Sequence, residues 1–127
     1  MRNKIVILVS VFILIISASI ILWRKYGISS EYNYFSAKSD IKNGKVRFIS
    51  YGLPQITSKD AEIEMVRKKY GFTGSNMGCV ASDEDFRTAE IYNNVVEEYL
   101  IKRNGKDWRI KFQKEVDSLY KIAFNNK

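Results

Sequence analysis

Residues 5–23 form an apolar run that contains no charged side chain. As an α-helix rising 1.5 Å per residue, the run would be about 29 Å long, close to the roughly 30 Å hydrocarbon core of a bilayer. The chain that follows is too short to enclose a helix that is apolar on every side, so burial in a protein core is unfavourable. The run therefore predicts a membrane-spanning helix surrounded by lipid, and it confines any soluble fold to the rest of the chain.

A cleavable signal peptide is the competing interpretation of the same run. Residues 17–19 are small, as a signal peptidase site requires, and basic residues precede the run at Arg2 and Lys4. However, apolar residues resume at positions 20–23, so cleavage would leave a hydrophobic new terminus. A lipoprotein signal is excluded because the only cysteine, Cys79, lies far beyond the run. We therefore predict an uncleaved anchor.

The apolar run divides the chain into four segments. We predict a charged flank (1–4), a transmembrane helix (5–23), a partly helical juxtamembrane segment (24–42) and a small α+β domain (43–127). Basic residues lie on both sides of the helix, and the α-amino group adds a slight bias toward a cytoplasmic first residue. The domain is then expected outside the cytoplasm. The abundance of Ile, Lys, Asn and Tyr is typical of AT-rich bacterial genomes and indicates a bacterial inner membrane.

The composition narrows the classes of function. The chain carries a net charge of +7, but four of its basic residues flank the apolar run, and the remaining 17 basic and 14 acidic residues leave the soluble part at +3. The charge therefore does not favour nucleic acid as a partner. The sequence contains no histidine, which removes the commonest general base and metal ligand. The lone cysteine cannot form an intramolecular disulfide. We predict no cofactor and no metal site.

Beyond the anchor, hydrophobic periodicity and turn residues predict six short elements. They are helices at about 30–42 and 58–70, strands at 45–51 and 79–81, a helix capped by Ser82 and closed at 104–105, and a last helix capped by Asp107. Strand, helix and strand form a βαβ unit with parallel strands, and the short connection between the last two helices predicts an antiparallel hairpin. The predicted fold class is α+β, in which a transmembrane helix precedes a small helix-rich domain with a minimal two-stranded sheet and a C-terminal helical hairpin.

The last two predicted helices carry apolar faces, which are typical of packing against a core. The first of these faces consists of Phe86, Ala89, Tyr92, Val96, Tyr99 and Leu100. The second consists of Trp108, Phe112, Val116, Leu119 and Ala123. Gly71 is predicted to end the helix before it in the left-handed conformation.

Cys79 is the sharpest chemical candidate, because it precedes a helix start whose dipole can lower the pKa of a thiol. No histidine is present to act as a base, and the acidic residues 83–85 disfavour a thiolate. The apolar neighbours of Cys79 predict a buried, structural cysteine. Glycines 71, 74 and 78 precede the same helix, but their spacing matches no phosphate-binding loop, and we expect a flexible connection.

The carboxylates of Asp83, Glu84 and Asp85, with that of Glu90, resemble a calcium site only in composition. Their spacing does not fit an EF-hand loop, and stabilisation of the helix dipole accounts for them without metal. A membrane-tethered hydrolase that uses residues 83–85 as acid or base is the enzymatic alternative, since carboxylates can act without histidine.

A basic cluster is the best-supported interaction surface in the soluble part. It comprises Lys102, Arg103, Lys106, Arg109, Lys111 and Lys114. Trp108 and Phe112 alternate with these charges and are expected in the core, so a solvated rim is the competing interpretation. We expect a non-catalytic interaction module at the membrane surface with an unidentified protein partner. A further alternative is a cytoplasmic basic patch that binds anionic lipid or RNA.

Overall fold

The computed structural model describes residues 2–54 and 56–125, whose backbone forms five helices and two short strands. In chain order they are α1 (Arg2–Tyr26), α2 (Tyr34–Lys42), β1 (Arg47–Ser50), α3 (Asp60–Tyr70), β2 (Thr73–Asn76), α4 (Asp83–Asn104) and α5 (Trp108–Asn125). This arrangement confirms the predicted α+β fold class, with one long apolar helix before a helix-rich domain and a minimal parallel sheet.

The apolar side chains of helix α1 are exposed. It is long and apolar enough to cross a membrane, and none of its most apolar stretch is buried against the domain. The hydroxyls of Ser10, Ser17 and Ser19 donate hydrogen bonds of 2.8–2.9 Å to carbonyls one turn earlier. Because these are the only polar side chains within residues 5–23, the surface of the helix is compatible with lipid.

Side-chain hydrogen bonds set where α2 and α3 begin. Asn33 accepts hydrogen bonds from the backbone N–H groups of Phe35 and Ser36, so α2 starts directly after Asn33 and not at the predicted residue 30. The backbone N–H and the hydroxyl of Thr57 both donate to Asp60, and α3 starts at Asp60 rather than at residue 58. In both places a local polar turn replaces the first predicted helical residues.

Strands β1 and β2 pair in parallel, with Arg47 opposite Thr73 and Ser50 opposite Asn76. Helix α3 makes the crossover between them, which confirms the predicted βαβ unit. The predicted position of the second strand, at 79–81, is wrong, because β2 lies earlier in the chain. The last residue of β1 is already paired with Asn76, so the chain beyond has no strand to pair with.

The free edge of β1 is closed by a side chain of α4. Asn93 accepts a hydrogen bond from the Ile49 N–H and donates one to the Ile49 carbonyl, both of 2.8 Å. The carbonyls of Val46 and Ser50 accept hydrogen bonds from the chain of β2, so Ile49 faces the opposite edge. One amide side chain thus takes the place of a third strand and fastens α4 to the sheet.

An aromatic cluster forms the centre of the core around Trp108, which is 1% exposed. The centroid of its ring system lies 5.8–6.3 Å from the ring centroids of Phe48, Tyr70, Phe72 and Phe112. These rings come from β1, the end of α3, the residue before β2, and α5. Their packing therefore joins the sheet to helices α3 and α5.

Helix α5 turns back over the domain after a short connection, as the predicted hairpin requires. Near its middle, Glu115 accepts hydrogen bonds from the Tyr70 hydroxyl (2.7 Å) and the Lys69 ammonium (2.8 Å) at the end of α3. Further along α5, Tyr120 lines the same groove as Asp60 at the start of α3. Helix α5 therefore runs antiparallel to α3 and packs against it.

The predicted apolar faces of α4 and α5 point inward with one exception. Phe86 is 54% exposed, whereas the other residues of both faces are buried or half-buried. Phe86 lies in the first turn of α4, and its ring packs edge-on against Tyr51 with the centroids 5.3 Å apart. This turn extends past the end of the sheet, so only one side of the ring is covered.

Candidate functional site

The end of α1 is packed against the start of α4. Gly27 follows α1 directly, is buried, and has a φ of 65°, which favours glycine. A Cβ atom here would lie 3.2 Å from side-chain carbons of Thr88 and Ile91, so glycine permits this close approach without strain. Arg87 also donates a hydrogen bond to the carbonyl of Arg24. The domain therefore packs directly against the end of α1 and is not joined to it by an extended linker.

Glu84 joins the same contact from the first turn of α4. Its carboxylate accepts hydrogen bonds from the Ser29 hydroxyl and the Arg87 guanidinium, with 2.8 Å between Glu84 Oε2 and Arg87 Nε. The Arg87 guanidinium and the Ser29 hydroxyl together lower the pKa of Glu84 to about 2. At neutral pH the side chain is thus an ionised acceptor that holds the segment after α1 to α4.

The contact with α1 defines two ends of the domain. Ile20 and Asp83, the first residue of α4, line the same depression between the two helices, and Gly27 packs against Thr88. The two helices therefore run in the same direction here, and α4 carries the chain away from the apolar part of α1. At 1.5 Å per residue, α4 ends about 30 Å beyond its start. We call the end of the domain at Asp83 the proximal end and the end at Asn104 the distal end.

Basic residues gather at the distal end, where three helices of the domain terminate. Lys42 of α2 and Lys102 of α4 line one shallow depression, and Lys68 of α3 and Arg103 of α4 line a neighbouring one. Tyr99 lies between the two depressions and contributes to both. We call Lys42, Lys68, Lys102 and Arg103 the distal basic surface. Because the helix dipole favours cations at C-termini, these residues also stabilise their own helices.

No ion pair neutralises the distal basic surface within residues 2–54 and 56–125. Arg103 lies against Gly71, where a Cβ atom would come within 2.6 Å of the guanidinium carbon. Arg103 also donates a hydrogen bond of 3.4 Å to the Tyr99 hydroxyl. Gly71 ends α3 with a φ of 89°, as predicted for a left-handed cap. The glycine therefore both ends a helix and leaves room for the guanidinium.

The structure divides the predicted basic patch between separate surfaces. Lys102 and Arg103 belong to the distal basic surface, and Lys106 is exposed in the turn that follows α4. Lys114 lies elsewhere, on the outer face of α5 beside Ile110. Lys42 and Lys68 were not part of the predicted patch, although each is a basic residue in the last turn of a helix.

Two further residues of the predicted patch are neutralised by carboxylates. Arg109 forms an ion pair with Glu97, and its guanidinium lies 5.1 Å from the ring centroid of Trp108. Lys111 forms an ion pair of 2.8 Å with Asp107, the residue directly before α5. These pairs give Arg109 and Lys111 roles in the fold of the hairpin, so they contribute less charge to an interaction surface.

A polar groove of about 530 Å³ opens beside the carboxyl ends of the strands. Its polar lining consists of Ser50, Tyr51, Asp60, Glu64, Arg67, Ser75, Asn76 and Tyr120. Glu64 and Arg67, one turn apart on α3, form an ion pair of 3.0 Å, and a Cβ atom at Gly74 would lie 3.1 Å from the Arg67 guanidinium. Asp60 accepts hydrogen bonds from Thr57. The charged side chains of the groove are thus satisfied by protein partners.

The acidic residues at the start of α4 stabilise the N-terminus of this helix. Ser82 caps α4 as predicted, and Asp85 makes the cap reciprocal: the Asp85 N–H donates to Ser82 Oγ at 3.2 Å and the Ser82 N–H donates to Asp85 Oδ2 at 2.8 Å. Hydrogen bonds from the backbone and side chain of Ser82 lower the pKa of Asp85. A general acid at neutral pH needs a raised pKa, whereas Glu84 and Asp85 have lowered ones. In the described part of the chain, no group of three or more His, Cys, Asp or Glu residues is placed to hold a metal ion.

Cys79 is exposed in the loop between β2 and α4, so the prediction of a buried cysteine is wrong. Its apolar neighbour Val80 is 93% exposed, because no element of the domain covers this loop. The three glycines occupy different places. Gly71 ends α3, as predicted, and Gly78 lies in the loop, whereas Gly74 lies inside β2 and not in the expected flexible connection.

Substitution of Glu84 tests the contact between α1 and α4. A carboxyl whose pKa is 4.5 in the unfolded chain and about 2 in the folded one stabilises the fold fully above pH 4.5, and this stabilisation is lost as the pH falls toward 2. We expect Glu84→Gln to remove part of the acid sensitivity of the wild type, measured by thermal unfolding in detergent micelles. Glu90→Gln, on an exposed position of the same helix, is the control. Identical pH profiles for the two variants would contradict the contact.

Comparison with known proteins gives no relative. No protein-family model matches the chain, and no curated protein or solved structure is significantly similar to it. The two ends of the domain and the exposed apolar helix are therefore the basis for a functional assignment.

Proposed function

We propose that this chain is a single-pass membrane protein whose small domain is a non-catalytic binding module at the membrane surface. The observation that carries the proposal is α1, whose apolar side chains stay exposed although the domain has its own core. Such a helix gains about 25 cal/mol per Å² of apolar surface when lipid removes it from water. Insertion of this bilayer-length helix into a membrane would therefore stabilise the protein.

The segment around the end of α1 packs against the domain. Gly27 is buried against Thr88 and Ile91, and Arg24 and Ser29 bond to side chains of α4. Cleavage after residues 17–19 would leave these contacts in place, but it would expose the apolar residues 20–23 at a new terminus next to the domain, which favours an uncleaved anchor.

The distal basic surface supports an acidic protein as the partner. It lies about 27 Å further along α4 than Glu84, at 1.5 Å per residue, so it faces away from the bilayer that α1 would span. The Debye length at physiological salt is about 8 Å, so lipid head groups of that bilayer are too distant to attract these charges. The soluble part carries only +3, which favours a local protein contact over nucleic acid. Lowered pKa values at Glu84 and Asp85 disfavour a general-acid role for these two residues in the hydrolase alternative.

Chemical crosslinking in native membranes tests the binding proposal. The variant reverses two charges of the distal basic surface, Lys68→Glu and Lys102→Glu. The matched control reverses two charges on the outer face of α5, Lys114→Glu and Lys121→Glu, which line a single depression there. We expect the first variant to reduce the yield of a specific crosslinked complex about tenfold and the control to leave it unchanged. Monomer alone under several linker chemistries, or equal losses in both variants, would count against the proposal.

The working location is a bacterial inner membrane with the domain outside the cytoplasm. Cys79 is removed as Cys79→Ser, and a single cysteine is introduced as Lys106→Cys in the exposed turn at the distal end. We expect an impermeant maleimide to label this cysteine in intact cells. Labelling that requires cell lysis would place the domain in the cytoplasm.

A further inference from the structure

Four strongly exposed apolar side chains lie in three separate segments of the domain. Leu53 and Ile56 follow β1 and are 84% and 83% exposed, Val80 precedes α4 and is 93% exposed, and Phe86 in the first turn of α4 is 54% exposed. We call these four residues the proximal apolar rim. Their exposure leaves apolar surface in water that the core of the domain does not use.

The topology of the sheet brings these segments to one end of the domain. Arg47, at the start of β1, bonds to Tyr92 of α4, whereas Tyr51, just after β1, packs on Phe86 near the start of α4. Strand β1 therefore runs toward the proximal end. The parallel partner β2 does the same, so the loops after both strands emerge there.

The two loops are joined to each other by hydrogen bonds. The Gly52 N–H donates to the Gly78 carbonyl at 2.8 Å, and the Asn76 side chain donates to the Gly52 carbonyl at 3.1 Å. Leu53 and Val80 follow these bonded residues closely in sequence. The two loops that hold Leu53 and Val80 are therefore linked by hydrogen bonds and do not move independently of each other.

The proximal end is also where the domain meets α1. The depression between α1 and α4 is lined by Ile20 and Trp23 from one helix and by Asp83 and Arg87 from the other. The start of α4 therefore lies level with the last turns of the apolar helix. Val80 and Phe86 flank this start in sequence, so the rim lies at the height where a bilayer around α1 would have its head groups and outer acyl chains.

We infer that the proximal apolar rim inserts into the interfacial layer of the bilayer that α1 spans, so that the domain rests on the membrane surface. This inference depends on the proposal that α1 is a membrane span. Lipid is the occupant because the start of α4 lies level with Ile20 and Trp23 of α1, so a bilayer around α1 would reach the end of the domain that carries the rim. The acidic residues Asp83, Glu84 and Asp85 lie beside the rim, so the contact is apolar and does not require anionic lipid.

Depth measurement in vesicles tests the inference with the full chain. In a Cys79→Ser background, single cysteines are introduced as Val80→Cys or Leu53→Cys, labelled with an environment-sensitive fluorophore and reconstituted into phosphatidylcholine vesicles. Lipids that carry a nitroxide near the head group serve as quenchers. Leu22→Cys reports on the membrane span, and Lys106→Cys reports on the distal end. We expect quenching at both rim positions about threefold stronger than at Lys106→Cys, and unchanged at high salt.

The remaining outcomes separate failure of the inference from failure of the anchor proposal. Strong quenching at Leu22→Cys with rim labels that behave like the Lys106→Cys label would overturn the inference and leave the anchor proposal intact. Weak quenching at all positions, including Leu22→Cys, would overturn the anchor proposal and the inference together. Rim labels that are shielded from water but not quenched by the lipid nitroxide would mean that a second copy of the chain covers the rim, which also overturns the inference.

Discussion

Replacing Trp108 with alanine is expected to lower the free energy of unfolding by about 3–5 kcal/mol. The side chain is 1% exposed and contacts four other aromatic rings, so its removal leaves a cavity at the centre of the core. Its indole N–H also donates a hydrogen bond of 3.1 Å to Glu97, which would lose this partner. Small domains are stable by only about 5–15 kcal/mol, so the variant should unfold at much lower denaturant concentration.

Circular dichroism of the full chain in detergent micelles measures this effect without depending on tryptophan fluorescence. The matched control is Ile110→Ala, which removes an apolar side chain that is 75% exposed on the same helix. Exposed substitutions of this kind usually change stability by less than about 0.5 kcal/mol. If Trp108→Ala unfolded at the same denaturant concentration as the control, the aromatic cluster would not be the centre of the core.

Replacing Asn93 with leucine is expected to destabilise the fold by about 2–5 kcal/mol. Leucine is close to asparagine in size but cannot bond to the backbone of Ile49, which uses Asn93 for both its N–H and its carbonyl. Ile49 is 4% exposed, so water cannot readily replace the lost hydrogen bonds. Two buried backbone groups would then lack partners on the outer edge of β1.

The neighbouring residue supplies the control for this prediction. Asn94 is exposed on the same helix, so Asn94→Leu changes the same chemistry without touching the sheet. We expect chemical denaturation to separate the two variants clearly, with Asn94→Leu within about 0.5 kcal/mol of the wild type. Amide hydrogen exchange should also show faster exchange at Ile49 in Asn93→Leu. Equal stabilities would mean that the edge of β1 does not depend on this side chain.

The elements that the sequence predicts correctly are those built from local interactions. The cap formed by Ser82 and Asp85 and the left-handed end of α3 at Gly71 depend on residues within about one turn of each other. The apolar face of α5 also follows from spacing alone, and Trp108 and Val116 are buried as expected. Such features are visible in sequence because the interacting groups are close along the chain.

The position of β2 shows where local reasoning is insufficient. The sequence of β2, Thr73–Asn76, contains no apolar residue, whereas Cys79 and Val80 have the residue types of a strand. The polar segment Thr73–Asn76 forms the strand because α3 brings the chain back beside β1 at Thr73, where pairing with Arg47 begins. Strand formation here depends on a partner and not on propensity, which also explains why Cys79 is exposed.

The candidate surfaces were only partly accessible from the sequence. The sequence predicts Lys102 and Arg103 because they belong to a basic stretch, but Lys42 and Lys68 join them through the common end point of three helices. The sequence does not predict the proximal apolar rim. Its residues come from loops after two parallel strands, and these loops share one end of the domain only once the sheet has formed.

The sequence by itself determined that α1 is apolar over the length of a bilayer, that the domain is small, and that its strands are parallel, because these properties follow from local composition, spacing and chain order. Only the tertiary structure decided how the domain is oriented on α1. That orientation depends on the contact of Gly27 with Thr88 and on the bonds of Glu84 with Ser29, which join residues more than 50 positions apart. These contacts set the basic residues at one end of the domain and the exposed apolar residues at the other.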